Sequence, residues 1–256
     1  MPTALTIRDL RFRYSAASRA ALSAGANGAA FAIDLPALDL AEGEHVLLTG
    51  RSGGGKSTLL QLIAGLREPD SGRVTIAGQD IHALRGAARD QFRGRSIGMI
   101  FQTFHLAQGF SALENVLLAL LFGNPGQSRL AGSATPGGSP RDGGHGGRAT
   151  ELLRALGIDR PNALVETLSV GQQQRVAVAR ALACRPALVL ADEPTASLDS
   201  DNAEQAVELI RSNCREQGAA LLVASHDPSL RGRFDRTLDL AGLAAAGVTT
   251  WGGTPS

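Results

Sequence analysis

A glycine-rich loop between a short apolar strand and a helix constrains the fold of this chain more than any other feature. The residues from Gly50 to Thr58 read GRSGGGKST. His45 to Thr49 precede them as a short run that predicts a buried strand, and Ser57 to Ala64 follow as a predicted helix. A strand, a glycine loop and a helix in this order are typical of a phosphate-binding loop in an α/β sheet.

The residue types in this loop suit a nucleoside triphosphate. Glycines let consecutive backbone N–H groups turn inward around phosphates, Lys56 supplies a cation near the β and γ phosphates, and Ser57 offers a hydroxyl to Mg²⁺. The following helix aims the positive end of its dipole at the same place. A glycine-rich surface turn can match such a pattern by chance, but the flanking strand and helix argue against it. We therefore expect ATP and Mg²⁺ to be bound by the loop residues Gly50, Arg51, Ser52, Gly53, Gly54, Gly55, Lys56, Ser57 and Thr58.

Composition excludes several classes of protein. The chain has 256 residues, of which 43% are hydrophobic and 19% charged, enough for one large domain or a domain with a subdomain. The net charge is +1 and no Lys/Arg run occurs, so no nucleic-acid partner is expected. No apolar stretch reaches the roughly 20 residues of a membrane span, and the N-terminus lacks a signal-peptide core, which favours the cytosol. Cys184 and Cys214 alone indicate neither a disulfide framework nor a zinc site.

The remaining pattern predicts a mixed α/β sheet with helices. Alternation from Leu5 to Tyr14 and from Phe31 to Leu40 predicts antiparallel strands, joined by a long loop from Ser15 to Ala30. Further strands are predicted at 73–78, 96–101, 187–191 and 219–224, and helices at 111–122, 149–156, 172–183 and 201–217.

One segment interrupts this order. Asn124 to Arg148 is dominated by Gly, Ser, Pro and Arg and cannot bury enough apolar surface to offset its ordering entropy. It predicts a mobile loop. Two interpretations stay open: a docking or regulatory arm, and a tolerated insertion without function, which is the commoner case.

Polar residues after three predicted strands provide the groups that phosphoryl transfer to water requires. Asp192 ends an apolar strand and can reach Mg²⁺, while Glu193 beside it can deprotonate the attacking water. His226 follows the next strand, where its ring can reach the γ-phosphate or that water. Gln102 follows a third strand and can offer its carbonyl to Mg²⁺ and its amide to water. A solvated helix start is the plain alternative for the acidic pair, and an incidental position is the plain alternative for a lone histidine.

Six segments together resemble the nucleotide-binding subunits of ATP-binding-cassette (ABC) transporters, over nearly the whole chain. In chain order they are the Walker A loop Gly50 to Thr58, the Q-loop Gln102, the signature Leu168-Ser169-Val170-Gly171-Gln172, the Walker B residues Asp192 and Glu193, the D-loop Ser197-Leu198-Asp199 and the switch histidine His226.

The resemblance implies a fold and an assembly. It implies a single domain, a P-loop NTPase (RecA-like) core with an antiparallel β subdomain at 1–101 and 187–256, and a mainly α-helical subdomain at 102–186 that carries the insertion. It also implies a dimer that sandwiches two ATP molecules, each held by one chain's Walker A loop and by the other chain's Ser169 and Gly171, and it adds Gln172 and Asp199 to the ATP-binding residues.

Two positions leave the family pattern in question. Tyr14 is where the resemblance implies an aromatic side chain that stacks on adenine, although a tyrosine that packs under the strand is an alternative. Val170 replaces a glycine of the signature, and a β-branched residue would resist a positive φ or a close approach to phosphate.

A finer resemblance concerns the partner. Residues 97–106 and 112–116 look like the branch that serves lipoprotein-releasing, macrolide-exporting and cell-division permeases. This implies an ATPase peripheral to the cytoplasmic side of the inner membrane, as a homodimer or paired with a homologous ATPase. It would power a separate permease with a large extracytoplasmic domain, exporting or extruding a lipoprotein, lipid-like or drug-like substrate. The alternatives are a mechanical regulator that moves no solute and a soluble, non-transport cassette ATPase.

Overall fold

The computed structural model describes residues 2–14, 32–123, 144–196 and 200–240. The expectations for the loop Ser15 to Ala30, for residues 124–143 of the insertion and for Asp199 lie outside the described residues. The strands are β1 Thr3–Arg13, β2 Ala32–Ala41, β3 His45–Thr49, β4 Ser71–Ile76, β5 Gln79–Asp80, β6 Ile97–Ile100, β7 Leu188–Asp192, β8 Ala220–Ala224 and β9 Arg236–Asp239. The helices are α1 Lys56–Ile63, α2 Gly86–Ser96, α3 Ala112–Gly123, α4 His145–Ala155, α5 Val170–Leu182 and α6 Ser200–Gln217, with 3₁₀ turns at Val165–Thr167 and Pro228–Leu230.

A parallel sheet in the order β6-β7-β8-β3-β9 forms the centre of the described structure. Strands β3 and β8 are buried along their whole length, which is why their sequences are apolar without alternation. Because all five strands run in one direction, their carboxyl ends share one edge. That edge carries the residues that follow Thr49, Asp192 and Ala224.

Alternate residues of the parallel strands face two separate cores. Val46, Leu190 and Leu222 face a core shared with α1 and with the antiparallel sheet β2-β1-β4-β5. Leu47 and Val189 face the other core, which is shared with α3, α4, α5 and α6. This α/β arrangement, a parallel sheet with an antiparallel subdomain and a group of helices, confirms the predicted fold class.

Helix α4 begins earlier than the sequence predicts. It starts at His145, four residues before Ala149, so the predicted end of the irregular insertion at Arg148 is wrong. Arg148 explains the difference, because its guanidinium donates to the carbonyl oxygens of Ala183 at 3.0 Å and Leu182 at 3.4 Å. These contacts hold the first turn of α4 against the end of α5 despite the glycines at 146 and 147.

Two further elements have no counterpart in the sequence prediction. Helix α2 is largely polar and buries only Phe92 and Ser96, so it lacks a clear apolar stripe. Strand β9 is short and mostly exposed, and it joins the sheet through backbone pairing with β3. Neither pattern is visible to a reading that depends on apolar periodicity.

The strand that leads into the glycine loop begins with a buried histidine. The His45 side chain is fully buried, and burial, followed by the positive charge of Arg215, lowers its pKa below the ordinary value. The neutral ring is therefore the folded form. Below the ordinary histidine pKa of about 6.5 the unfolded chain takes up a proton that the folded chain refuses.

We expect the free energy of unfolding to fall as the pH drops below about 6.5, by up to about 1.4 kcal/mol per pH unit from His45 alone. Above that pH this group adds no pH dependence. Urea unfolding of the parent and of His45→Gln at pH 7.5, 6.5 and 5.5 measures how steeply the free energy of unfolding of each protein changes with pH, whatever its absolute stability. The same pH dependence in the two proteins would show that His45 does not titrate on unfolding.

Candidate functional site

The glycine loop wraps closely around its own backbone. Gly53 and Gly55 have φ of 73° and 97°, a backbone region that residues other than glycine rarely adopt. The Gly54 N–H donates to the Arg51 carbonyl at 3.0 Å, and a Cβ at position 54 would lie 2.9 Å from that same oxygen. Gly55 is also the N-cap of α1, so the helix begins directly where the loop ends. The loop therefore has the backbone conformation that a phosphate cradle requires.

Lys56 turns its side chain back into this loop. Its ammonium donates to the carbonyl oxygens of Gly50 at 3.0 Å and Arg51 at 3.3 Å, and it forms an ion pair with Glu193 Oε1 at 3.2 Å. The side chains of Lys56 and Glu193 are only 6% and 13% exposed, so this pair is shielded from solvent. The ammonium that the sequence assigns to phosphate thus lies in the loop and is neutralised by a carboxylate.

Glu193 is held in place from several sides. Its backbone φ is 44°, an uncommon value for a residue other than glycine. Its N–H donates to the Ala224 carbonyl at 2.9 Å. Its Oε2 lies 2.9 Å from His226 Nδ1. Glu193 therefore connects the end of β7 to the end of β8 and, through Lys56, to the loop after β3. The structure brings together three residues that the sequence predicted from separate segments.

Asp192, the residue before Glu193, has the environment of a cation ligand. Burial raises the pKa of its carboxyl, and the Ser57 hydroxyl beside it works against that shift. Its buried Oδ1 has no hydrogen-bond partner among the described residues. A desolvated carboxylate oxygen next to a hydroxyl suits a hard divalent cation, so these residues fit Mg²⁺. The described residues hold no cluster of three His, Cys, Asp or Glu for a metal, and Mg²⁺ at such a site completes its shell with waters and phosphate oxygens.

Gln102 does not reach this cluster. It is exposed at the tip of a turn in which the Phe104 N–H donates to the Phe101 carbonyl at 3.0 Å. Within the described part of the chain it has no hydrogen bond to Ser57 or Asp192. Its predicted contacts with Mg²⁺ and water stay predictions.

Tyr14 lies beside the end of the glycine loop. Its hydroxyl is 3.0 Å from Thr58 Oγ1, its ring meets Phe12 edge to face at 5.1 Å, and the Arg67 guanidinium lies 5.0 Å from its ring centroid. The structure thus shows packing against β1 and proximity to the loop together. Adenine stacking on Tyr14 stays a prediction.

The signature residues lie on the surface at the start of α5. Ser169 is the N-cap and shares a capping box with Gln172, whose N–H donates to Ser169 Oγ at 3.3 Å. Val170 is in the first turn of the helix and its φ is not positive, so the expected conflict with a positive φ does not arise. Among the described residues, no hydrogen bond joins Ser169, Gly171 or Gln172 to the glycine loop. A Cβ on Gly171 would meet nothing within 4 Å, so nothing in the described chain itself requires glycine there.

Two residues of α5 that the sequence did not single out contact the site. Gln174 is buried and donates to the Pro194 carbonyl at 3.2 Å, directly after Glu193. Arg180 donates to the carbonyls of Phe104 and His105, directly after the Gln102 turn. The sequence pattern could not reveal either one, because both bind backbone oxygens and no charged or apolar partner marks them. The only sequence signal for them is a polar residue at a helix position where the apolar pattern predicts a core residue.

Comparison with known proteins agrees with this geometry. Residues 34–196 match the family model described as ABC transporter. The chain belongs to the ABC transporter family. It is 31% identical to a structure described as a dimeric post-hydrolysis state of the ATP-binding cassette MJ0796 bound to ADP and Pi, with a TM-score of 0.71 over 92% of this chain and 93% of the other. A second structure of MJ0796, described as a dimeric bacterial ABC transporter cassette, is 32% identical with a TM-score of 0.68 over 92% and 94%.

A structure described as an inward-facing conformation of a putative metal-chelate type ABC transporter is also similar. It is 26% identical, with a TM-score of 0.66 over 93% of this chain and 80% of the other. The chain is therefore an ATP-binding cassette domain with the fold of these relatives. No helix in the described residues has the length and apolarity to cross a membrane.

We expect Lys56→Ala to weaken ATP binding by roughly 10- to 100-fold, because a charge-assisted contact to phosphate is worth about 1.5–3 kcal/mol. Calorimetric titration with ATP and Mg²⁺ measures the change. Arg51→Ala is the matched control, since the exposed Arg51 is expected to contribute through its backbone N–H and should change affinity by less than about threefold. An unchanged affinity in Lys56→Ala would remove Lys56 from the phosphate site.

Proposed function

We propose that this chain is the ATP-hydrolysing subunit of a transporter and powers a separate membrane permease. The observation that carries the catalytic part is the meeting of Lys56, Glu193 and His226 at the carboxyl edge of the parallel sheet, next to Asp192. A cation for phosphate, a carboxylate base and a ring N–H thereby lie within contact of one another.

The geometry supports a defined sequence of events within this chain. ATP phosphates accept from the loop N–H groups and from Lys56, so the ammonium exchanges Glu193 for phosphate. The freed Glu193 carboxylate takes the proton of the attacking water while the water oxygen bonds to the γ-phosphorus. The bond from the γ-phosphorus to the bridging oxygen breaks, and this oxygen leaves on ADP. His226 keeps the carboxylate oriented through its Nδ1 contact. Ser57 and Asp192 would hold Mg²⁺, which would neutralise phosphate charge. Gln102 would join once its turn moves toward the site.

Two chains are proposed to share each ATP. Ser169 and Gly171 are exposed at the N-terminus of α5, where a helix favours an anion. The open space at Gly171 fits a close approach by a group from outside this chain. The relatives named above are described as dimeric cassettes, which supports a homodimer or a pair with a homologous ATPase.

A surface near the Gln102 turn supports the permease partner. Phe110 and Leu164 are 42% and 43% exposed, and their two segments are joined by the pairing of Ser111 with Leu164 and by the bond from the Val165 N–H to the Phe110 carbonyl. Two neighbouring exposed apolar side chains suit a protein partner. On this proposal the chain sits peripherally on the cytoplasmic side of the inner membrane.

The nature of the permease is inferred from the pattern at 97–106 and 112–116. It favours a partner with a large extracytoplasmic domain and export or extrusion of a lipoprotein, lipid-like or drug-like substrate. The test is purification of tagged Glu193→Gln with ATP from detergent-solubilised membranes of its source, followed by mass spectrometry of the bound proteins. Recovery of such a permease supports the proposal, and recovery of soluble partners alone overturns it.

Glu193→Gln should lower kcat for ATP hydrolysis by 10²- to 10⁴-fold, because the amide cannot accept the proton of water, while ATP binding is retained. A phosphate-release assay and an ATP titration measure the two quantities. Glu151→Gln, which alters an exposed carboxylate on α4, is the control and should keep the parental rate. Hydrolysis at the parental rate by Glu193→Gln would exclude Glu193 as the base.

Val170→Gly should raise the fraction of ATP-dependent dimer in a Glu193→Gln background. The Val170 side chain is 51% exposed beside Ser169, so its bulk would face the partner's nucleotide. Val170→Ala removes the two γ-methyl groups but keeps Cβ, and alanine favours the helix more than glycine does, so this variant should also raise the dimer fraction. Size-exclusion chromatography with light scattering, with and without ATP, measures the fraction. No change in either variant would show that Val170 does not limit association.

A further inference from the structure

The turn that carries Gln102 ends in a strained pair of residues. Phe104 and His105 have φ of 58° and 46°, and this left-handed region of the backbone is unfavourable for residues other than glycine. Consecutive left-handed residues other than glycine persist only when the surrounding structure holds them. Contacts from neighbouring elements must therefore hold this pair.

Contacts within the turn fix its shape but not its place. The Phe104 N–H donates to the Phe101 carbonyl at 3.0 Å, and the rings of Phe101 and His105 stack at 4.6 Å. Gln102 and Thr103 are left exposed at the tip. The orientation of the tip is therefore set by the two residues that follow it.

Two kinds of contact come from outside the turn. The buried Phe104 ring packs in the core that is shared with the helices, and the signature helix binds the backbone of the pair. Arg180 on α5 donates from Nη1 to the His105 carbonyl at 2.5 Å and from Nη2 to the Phe104 carbonyl at 2.6 Å. Arg180 is half-buried where it makes these contacts, and this burial lowers the pKa of its guanidinium. Two adjacent carbonyls are matched by the two arms of one guanidinium, a geometry that lysine cannot reproduce.

The same turn of α5 also lies against the strand before Gln102. A Cβ on Gly98 of β6 would collide with the Ala181 carbonyl, so α5 and β6 are in backbone contact. Residues 180 and 181 thus touch the chain on both sides of the Gln102 turn. Displacing α5 would shift both ends of the turn together.

We propose that Arg180 is a positioning residue for Gln102: by binding the carbonyls of Phe104 and His105 it holds the left-handed pair and couples the turn to the signature helix. This inference rests on the proposed role of Gln102 in ATP hydrolysis. Movement of the signature helix when two chains meet would then move Gln102 toward or away from the Mg²⁺ ligands. Arg180 itself need not touch the nucleotide.

The first experiment reads the turn directly, without catalysis. Thr103→Cys is labelled with a methanethiosulfonate nitroxide. The pKa of Cys214 is about 12 and that of Cys184 is also raised by burial, so both native thiols should resist the reagent at pH 7, as the treated parent checks. Arg180→Met should convert an immobilised electron paramagnetic resonance spectrum into a mobile one. Arg175→Met is the matched control, because Arg175 lies on the same helix and donates to a carbonyl, that of Leu156.

The second experiment reads the consequence for Mg²⁺. In Arg180→Met the Mg²⁺ concentration for half-maximal ATPase should rise by about tenfold or more, while Mg²⁺-free ATP affinity stays within about twofold of the parent. In Arg180→Lys this Mg²⁺ concentration should lie between the values for the parent and for Arg180→Met, since one ammonium cannot hold both carbonyls. Should Arg180→Met fail to fold, Arg180→Lys tests the same point with the charge kept.

A third comparison separates the strain from general damage. His105→Gly removes the steric penalty of the left-handed conformation, so Arg180→Met should have a smaller effect when it is combined with His105→Gly. The Mg²⁺ concentration for half-maximal ATPase in the double variant should be within about threefold of that in His105→Gly alone. His105→Ala deletes the same ring and keeps the strain, and it should not rescue. Parental spectra and parental Mg²⁺ dependence in Arg180→Met would overturn the inference. Absence of ATPase in the parent would overturn the proposed function instead, and the nitroxide spectra would still decide the role of Arg180.

Discussion

The shielded ion pair between Lys56 and Glu193 is the interaction on which the arrangement of the site depends. It joins the loop after β3 to the end of β7, and His226 extends it to the end of β8. Each ion alone would be unfavourable in so dry a place, and removing one partner would leave the other uncompensated. The glycine conformations of the loop and the positive φ of Glu193 are tolerated because this pair and the surrounding backbone bonds hold them.

The exchange of this partner gives a physical reason for linking nucleotide binding to catalysis. While Lys56 binds Glu193, its ammonium occupies Oε1 of the carboxylate. On the proposed function, a phosphate that takes over the ammonium would leave Glu193 with its contact to His226. Arrival of the substrate and release of the proposed base would then be one event.

Much of the fold could be predicted from the sequence, because a parallel strand that is buried on both faces has apolar residues at successive positions. The strand at His45 to Thr49 and the strand that ends in Asp192 both follow that rule. Strand β9 and helix α2 could not be predicted, since backbone pairing and a few buried side chains hold them. For the site, positions at strand ends indicated Asp192, Glu193 and His226. The direct pairing of Glu193 with Lys56, and the contacts of Gln174 and Arg180 with backbone oxygens, depend on three-dimensional proximity that no local pattern records.

The burial of Lys56 also shapes the chemistry of the whole surface. Of the 25 lysine and arginine residues in the chain, Lys56 is the one lysine, so every other basic side chain is a guanidinium. Its ammonium is covered by Glu193 and by two loop carbonyls, and no other side-chain amine is available for acylation. Acylation of side-chain amines would thus report on this one covered ammonium, and its rate would measure how often the contact between Lys56 and Glu193 opens.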